Sequence, residues 1–432
     1  MTSDQTQQPT ESIFTMDTSS IVFGAGATRE VGFHMRRLGA TRVLVVTDPS
    51  LTNSEPIAIT LASLRAEGLH ADLYDRTRVE PTDVSMLDAI AFATEGQYDG
   101  YVGVGGGSAI DTAKAANLYA TWPADLLTYV NAPIGMAQPV PGPLRPLIAI
   151  PTTAGTGSET TGVVIFDLTS MHAKTGIAHR ALRPALGIVD PDNTRMLPPM
   201  VTACSGFDVL CHAIESITAL PFDQRPAPAH ASERPAYQGS NPISDIWASK
   251  ALEMTAANIV QAVQEPENAE VRAQMMLAAT YAGIGFGNAG VHLPHGMSYP
   301  VSGLVRDYRP ADYPQDHAII PHGMSVILNA PSVFRWTASA NPDRHRMAAR
   351  LLGANTSGAA DDEVGEALAQ AIIALMRATG MPSGLADVGF EGDDVTALVE
   401  GTLPQHRVTK LSPRPANAED LRELFLGAMR YW

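Results

Sequence analysis

Cysteine is nearly absent, with only Cys204 and Cys211 in 432 residues, and neither stands in a C-x-x-C arrangement. That disfavours a disulfide framework and a thiolate metal site; spaced seven apart, the two fall on one face of a helix and read as buried structural thiols. Charge is also scarce, at 17% of residues, and leans negative: 29 Lys and Arg against 45 Asp and Glu give a formal −16. Nucleic acid and anionic membrane are poor partners for such a surface, and any anionic substrate must be met by a local basic pocket. No run approaches the roughly 18 to 20 apolar residues of a membrane span. The segment Met1 to Phe14 is polar and lacks Lys and Arg, unlike a secretory signal or an Arg-rich mitochondrial presequence. A reducing compartment, and hence a cytoplasmic protein, is expected, with residues 1–20 as a disordered tail.

What is present points to an enzyme. Hydrophobic residues make up 45% of the chain, enough for one large or two ordinary cores. The first half alternates strand-like runs (Thr41 to Asp48, His70 to Tyr74, Tyr98 to Val104, Pro146 to Pro151, Ala185 to Asp190) with helix-like ones (Ile57 to Glu67, Val84 to Glu95). Such alternation predicts a parallel sheet covered by helices, an α/β domain over residues 21–197. Beyond Leu197-Pro-Pro199 long alanine- and leucine-rich stretches predict an all-α domain over residues 198–432. Its helices are expected at Cys204 to Leu220, Ile243 to Val263, Glu270 to Gly283, Asp343 to Leu352, Asp361 to Thr379 and Ala418 to Arg430. Loops are expected at Pro221 to Pro242 and Tyr308 to Pro321.

The strand ending at Val104 runs into Gly105-Gly106-Gly107-Ser108-Ala109-Ile110-Asp111-Thr112-Ala113-Lys114. Three glycines permit close backbone approach, and the following helix offers N–H groups to an anion, with Ser108 as a candidate cap and phosphate donor. A second glycine run, Gly24-Ala-Gly26, has Arg29 where a third glycine belongs and is rejected. Asp48 ends an apolar strand, where it either binds the adenosine ribose of NAD, disfavouring NADP, or is a helix N-cap before Pro49. Pro151-Thr-Thr-Ala-Gly-Thr-Gly-Ser-Glu159 supplies small hydroxyl residues that could line a pyrophosphate and nicotinamide pocket, and Lys174 adds a positive charge downstream.

Four further side chains suit a metal. Asp208 and His212 are spaced i, i+4, side by side on one helix face. His295 opens His-Gly-Met-Ser-Tyr-Pro, and His322 lies between a proline and a glycine. Three imidazoles and a carboxylate suit iron(II) or zinc. If they converge, the chain is a catalytic metal enzyme. His292, three residues before His295, either relays protons or fills a polar spot; His34, His70 and His172 read as structural.

Together, Gly-Gly-Gly-Ser-x-x-Asp-x-x-Lys, Pro-Thr-Thr-x-Gly-Thr-Gly-Ser-Glu, Phe-Asp-x-x-x-His-Ala-Ile-Glu and the two His-Gly segments resemble the iron-dependent alcohol dehydrogenases, from about Ile21 to the C-terminus. The resemblance implies a dehydroquinate synthase-like fold, with a Rossmann-like domain holding NAD and a helical domain holding the metal on Asp208, His212, His295 and His322. It implies cofactor contacts at Asp48, Gly105, Gly106, Gly107, Ser108, Asp111, Thr152, Thr153, Thr156, Ser158 and Lys174. The segments Arg234 to Trp247, Gly287 to Gly303 and Gly401 to Leu411 look like the hydroxyacid–oxoacid transhydrogenase branch. That branch is associated with oxidising gamma-hydroxybutyrate to succinate semialdehyde while reducing 2-oxoglutarate to 2-hydroxyglutarate. Two departures from the wider family stand out. The position four after the third ligand, often a histidine, is Tyr299, and the stretch between His295 and His322 is long. The proton relay is therefore open between His292 and Tyr299, and the carboxylate anchors are sought among Arg306, Arg309, Arg407 and Lys410. Competing readings are a conventional alcohol dehydrogenase releasing NADH each turnover, a metal- and NAD-dependent synthase or lyase, and a non-catalytic scaffold. Small-molecule substrates and a homo-oligomer are expected.

Overall fold

The structure, a computed structural model, describes residues 9–171, 173–313 and 315–432. Its strands are β1 (Ser20–Phe23), β2 (Arg42–Val46), β3 (His70–Tyr74), β4 (Gly100–Gly105), β5 (Leu147–Pro151), β6 (Val163–Leu168), β7 (Ala173–Ala178) and β8 (Leu186–Val189). Six of them form a parallel sheet in the order β1-β8-β5-β4-β2-β3, and β6 and β7 form an antiparallel pair. Every residue of β4 and β5 is buried, as a strand covered by helices on both faces requires. The helices α1 (Val31–Arg37), α2 (Glu55–Ala66), α3 (Asp83–Gly96) and α4 (Gly107–Thr121) alternate with β1 to β5. Because β2, β4 and β5 are neighbours, their carboxyl ends bring Asp48, the glycine loop and Thr152 to one edge of the sheet, the edge at which such sheets bind ligands.

From Pro199 onward the chain is helical. Here lie α5 (Pro199–Thr218), α6 (Pro242–Gln264), α7 (Ala269–Ala289), α8 (Leu293–Gly303) and α9 (His322–Ile327). They are followed by α10 (Ala330–Thr337), α11 (Pro342–Leu351), α12 (Val364–Ala378), α13 (Val395–Thr402), α14 (His406–Thr409) and α15 (Ala418–Gly427). Helix α5 has the length and hydropathy to cross a membrane, yet it packs within a single core with α6 and α7 and carries buried Asp208, His212 and Glu215. Cys204 and Cys211 are free, buried thiols on it. The helical region docks on the sheet at a glycine pair. Gly157 has φ +59, and a Cβ there would lie 2.6 Å from the Gly283 Cα in α7.

Several expectations need correction. Of the expected disordered tail, residues 1–8 lie outside the described residues, as does His172. Residues 9–19 are not a free tail. Glu11 is buried and pairs with Arg234 at 3.0 Å. The Thr15 and Asp17 N–H groups donate to Gln238 and Asn288 at 2.8 and 2.9 Å. A polar sequence can be ordered by specific partners hundreds of residues away, which local composition does not register. The sequence reading also missed β1, whose four residues are too short for a pattern, and the β6–β7 pair, in whose second strand Lys174 and Gly176 break the alternation. It missed α8, which carries Pro294, Pro300 and glycines Gly296 and Gly303, poor helix formers held by tertiary packing.

Lys114 in α4 is fully buried. Its Nζ donates to Ser158 Oγ at 2.5 Å and the Val163 carbonyl at 2.9 Å, and pairs with Asp111 at 3.3 Å. Asp111 in turn accepts from the Ile165 N–H at 2.9 Å, so one ion pair fastens the glycine-loop helix to β6. Lys114→Met leaves Asp111 buried without its cation and is expected to destabilise the protein by about 3–5 kcal/mol. A fall in the urea midpoint reads this out, with part of the loss recovered by adding Asp111→Asn.

Candidate active site

Asp208, His212 and Glu215 repeat at helical spacing along one face of α5, all buried. His295 lies in the first turn of α8 and His322 opens α9. Both are followed by glycine for a reason of packing. A Cβ on Gly323 would overlap the Cys204 carbonyl of α5, and one on Gly296 would come within 2.7 Å of Thr409. The four side chains converge: Asp208 Oδ1 stands 3.6 Å from His212 Nε2, 3.5 Å from His295 Nε2 and 3.7 Å from His322 Nε2. Ligand atoms of Asp208, His295 and His322 all lie within 4.8 Å of one another. The His212 ring is stacked on Phe286 of α7 at 3.8 Å.

Behind this cluster, Glu215 Oε1 meets His295 Nδ1 at 2.6 Å, and Oε2 accepts from the His292 N–H at 2.6 Å. With Nδ1 turned to Glu215, Nε2 is the nitrogen that faces Asp208, and a metal there would take the place of its proton. Burial opposes ionisation of Asp208 and Glu215, yet the neighbouring imidazoles hold both carboxyls low. Burial holds His212 neutral, down to about 3, and lowers His322. It opposes charge on His295 as well, but Glu215 and Asp208 outweigh it and raise that imidazole to about 10. Asp208 Oδ1 and His295 Nε2 are buried and have no hydrogen-bond partner. Orphaned donors aimed at one point, with an outer carboxylate orienting one of them, fit a divalent cation.

The glycine loop faces this cluster. Gly105 has φ +150, and a Cβ there would lie 2.7 Å from Ala109; one on Gly107 would meet Thr156 at 2.7 Å. Gly106 is the N-cap of α4. Ser108 is therefore not the cap; its Oγ accepts from the Glu80 N–H at 3.2 Å. Asp48 is not a helix N-cap, since α2 begins at Glu55; its Oδ1 accepts from the N–H and hydroxyl of Ser50 and caps a turn, while Oδ2 lies 3.7 Å from where a Gly105 Cβ would stand. The Thr152 N–H donates to the Gly105 carbonyl at 3.0 Å, and Thr153 lies 3.5 Å from where a Gly106 Cβ would stand. Asp111 and Ser158 line the cleft but bond each other at 2.5 Å around Lys114. Lys174 is directly opposite Asp167 across the β6–β7 pair. Its ammonium is held at 3.1 Å by Asp167 and at 2.5 Å by Glu80, which occupies the charge expected to face the cofactor.

One cleft of about 800 Å³ joins the two halves, lined from the sheet side by Gly107, Ser108 and Thr156 and from the helical side by Asp208, His212, His295 and His322. Three of the four expected anchors are elsewhere. Arg306 pairs with Asp394 at 2.6 Å on the surface, Arg309 donates to the Asp307 carbonyl of its own exposed loop, and Lys410 is exposed. Arg407 of α14 lines the cleft, donates to Tyr299 Oη at 2.8 Å and lies 5.2 Å from the Tyr237 ring centroid. His292 does not line the cleft. It precedes α8 instead of sharing its face with His295, and its Nε2 meets Thr218 at 2.9 Å. Burial holds it neutral, down to about 4, which suits a packing role.

The sequence reading missed Glu215, Glu80, Tyr237 and Thr161 as site residues. Glu215 was findable, lying seven residues after Asp208 on the same helix face. Glu80 has no local signal: it lines the cleft with φ +54. Lys174 and His322 hold its carboxyl low against the effect of burial.

The comparisons with known proteins agree with this geometry. The model for "Iron-containing alcohol dehydrogenase" matches residues 18–191, and that for "Fe-containing alcohol dehydrogenase family, C-terminal" matches residues 227–429. The chain belongs to the iron-containing alcohol dehydrogenase family. Within it the chain falls in the hydroxyacid–oxoacid transhydrogenase branch. It is 52% identical to the protein of Rattus norvegicus named "Hydroxyacid-oxoacid transhydrogenase, mitochondrial", over 98% of this chain and 91% of that one. Among solved structures, a 1,3-propanediol oxidoreductase superposes with a TM-score of 0.84 at 29% identity, covering 97% of this chain and 100% of that one. A sulfoacetaldehyde reductase from Bifidobacterium kashiwanohense, solved with NAD+, gives 0.78 at 25% identity, covering 97% and 99%. The family member is an oxidoreductase using NAD and a divalent metal. The expected cytoplasmic location is corrected by the relatives' names, which are mitochondrial. Buried thiols report a reducing compartment and cannot separate the two.

Glu215→Gln removes the acceptor that orients His295. Metal affinity is expected to fall about 10- to 100-fold with the far-UV spectrum retained; an unchanged metal titration would count against this role.

Proposed function

We propose that this chain is a hydroxyacid–oxoacid transhydrogenase, oxidising gamma-hydroxybutyrate to succinate semialdehyde while reducing 2-oxoglutarate to 2-hydroxyglutarate on one retained NAD. The observation that carries this reading is the opening of the Asp208, His212, His295 and His322 cluster into the same cleft as the glycine loop. The branch relationship supports the choice of substrates. The four side chains are assigned as ligands of iron(II), the family's metal. Gly105, Gly106, Gly107, Ser108, Thr152, Thr153 and Thr156 are assigned to NAD, with Asp48 Oδ2 on the adenosine ribose.

When bound, the metal supplies a Lewis acid for the reacting oxygen, and NAD supplies the hydride acceptor and donor. The hydroxy acid loses a hydride from its carbinol carbon and a proton from its hydroxyl. The oxo acid then gains one of each, so the cycle balances without an external oxidant. Tyr299 Oη accepts from Arg407 Nη2, which leaves its own hydrogen free to turn into the cleft, and we assign it the proton-carrying role. Glu215 keeps the His295 ring oriented, and the buried apolar wall of Phe286 and Val291 excludes water. Chemistry of this kind needs no covalent nucleophile.

Metal-reconstituted protein given both acids and no nicotinamide is expected to form 2-hydroxyglutarate over many turnovers. A requirement for added NAD, ending at stoichiometric NADH, would make it a conventional dehydrogenase. Asp48→Asn preserves an acceptor for Ser50 but removes the charge. It is expected to narrow the preference for NAD over NADP by about tenfold, read from binding to the cofactor-stripped protein.

A further inference from the structure

Arg407 is the one Lys or Arg among the described residues lining the cleft, whose other charged walls include Glu80, Asp111 and Asp208. No carboxylate lies within ion-pair distance of it among the described residues, and its Nη1 is buried without a hydrogen-bond partner. Arg407 as a whole is half-buried, but a guanidinium N–H kept from water without a partner is unfavourable unless a ligand supplies one. Its orientation is nonetheless fixed, with Nη2 on Tyr299 Oη at 2.8 Å and the Tyr237 ring at 5.2 Å. That combination describes a preorganised fork waiting for an anion.

Its place relative to the reacting centre is also fixed. Tyr299 follows His295 by four residues in α8, one helical turn, with about 5–6 Å between their Cβ atoms. Arg407 and His295 line the same cleft, and Tyr299, which Arg407 holds, is rooted one helical turn from His295.

We propose that Arg407 is the single carboxylate anchor for both substrates, and that it selects acids whose carboxylate carbon lies three bonds from the reacting carbon. The identity of the two acids rests on the transhydrogenase reading above. In gamma-hydroxybutyrate the path from C4 to C1 is three bonds, and in 2-oxoglutarate the path from C2 to C5 is also three. Three bonds in an extended chain span about 3.8 Å, as between consecutive Cα atoms. One anchor at one distance serves both half-reactions, and two unlike acids share a site without rearranging it. The second carboxylate of 2-oxoglutarate, on the reacting carbon, meets no other Lys or Arg among the described residues of the cleft, so the anchor would take the distal carboxylate.

The test uses metal-loaded Arg407→Met and Arg407→Lys, following nicotinamide reduction and reoxidation as separate half-reactions. The anchor is then read even if the cofactor leaves after each turnover, and loss of the retained-cofactor reading would be seen independently. The wild type is expected to prefer gamma-hydroxybutyrate over butane-1,4-diol, and over hydroxy acids one carbon shorter or longer. Arg407→Met is expected to cut the acid-over-diol ratio of kcat/KM by about 30-fold or more, to flatten the chain-length preference and to weaken 2-oxoglutarate to a similar extent. Arg407→Lys keeps the charge without the fork and falls between. Unchanged ratios, or an effect on one acid alone, overturn the shared anchor. If the variants do not fold, wild-type inhibition decides. Butyrate must compete against both acids with one inhibition constant, and butyramide, lacking the charge, must compete far more weakly. Equal inhibition by the two overturns the proposal.

Discussion

The arrangement rests on an ionised carboxylate, Asp208, held in the middle of a buried helix. Asp208 is 2% exposed, and a charge there is tolerated only with strong local compensation. Three imidazoles around Oδ1 provide it, and they come from α5, α8 and α9, so helix packing and site geometry are one constraint. Glycine after His295 and after His322 lets those helices approach closely enough. Burial opposes the charge of both Asp208 and Glu215, and the neighbouring imidazoles hold the two carboxyls low. A divalent ion among these donors would supply the positive charge that two buried carboxylates call for.

The walls of the cleft depend on contacts far from it in sequence. Tyr237 is presented by the segment after Arg234, and Arg234 is tied to Glu11 at the other end of the chain. Gly290, at φ +97, admits that ring, since a Cβ there would lie 2.9 Å from the Tyr237 Cβ. Arg407 reaches the same point from α14. Three segments separated by more than fifty residues each thus meet at the guanidinium. The residues that read as a branch signature act in part as scaffold: Asn241 caps α6, and Asp245 pairs with Arg344 at 2.8 Å.

Much of this was legible beforehand. The α/β half followed from alternating periodicity, the helical half from long apolar stretches, and the four converging donors from the Asp208/His212 spacing together with two His-Gly segments. What could not be read was anything set by distant contacts. Composition gave residues 9–19 no partner, the β6–β7 pair lacked alternation, and α8 had the wrong residues for a helix. Of the two roles open to His292, spacing could not choose; it lies just outside α8, which starts at Leu293, and bonds Thr218. Of four candidate cations near branch-like segments, sequence had no means to choose; Arg407 is the one of the four that lines the cleft.

That choice also resolves a conflict between the chain's charge and its substrates. A net −16 repels a dicarboxylate at long range, but exposed charges are screened beyond about 8 Å at physiological ionic strength. Inside the cleft screening is weak, and one guanidinium in a partly desolvated wall counts for more than many surface carboxylates. Selectivity built at short range is insensitive to the global field. With the proposed anchor, salt should alter how fast such acids arrive far more than which acids are chosen, since arrival depends on the field of the whole surface and choice would depend on a guanidinium held between Tyr299 and Tyr237.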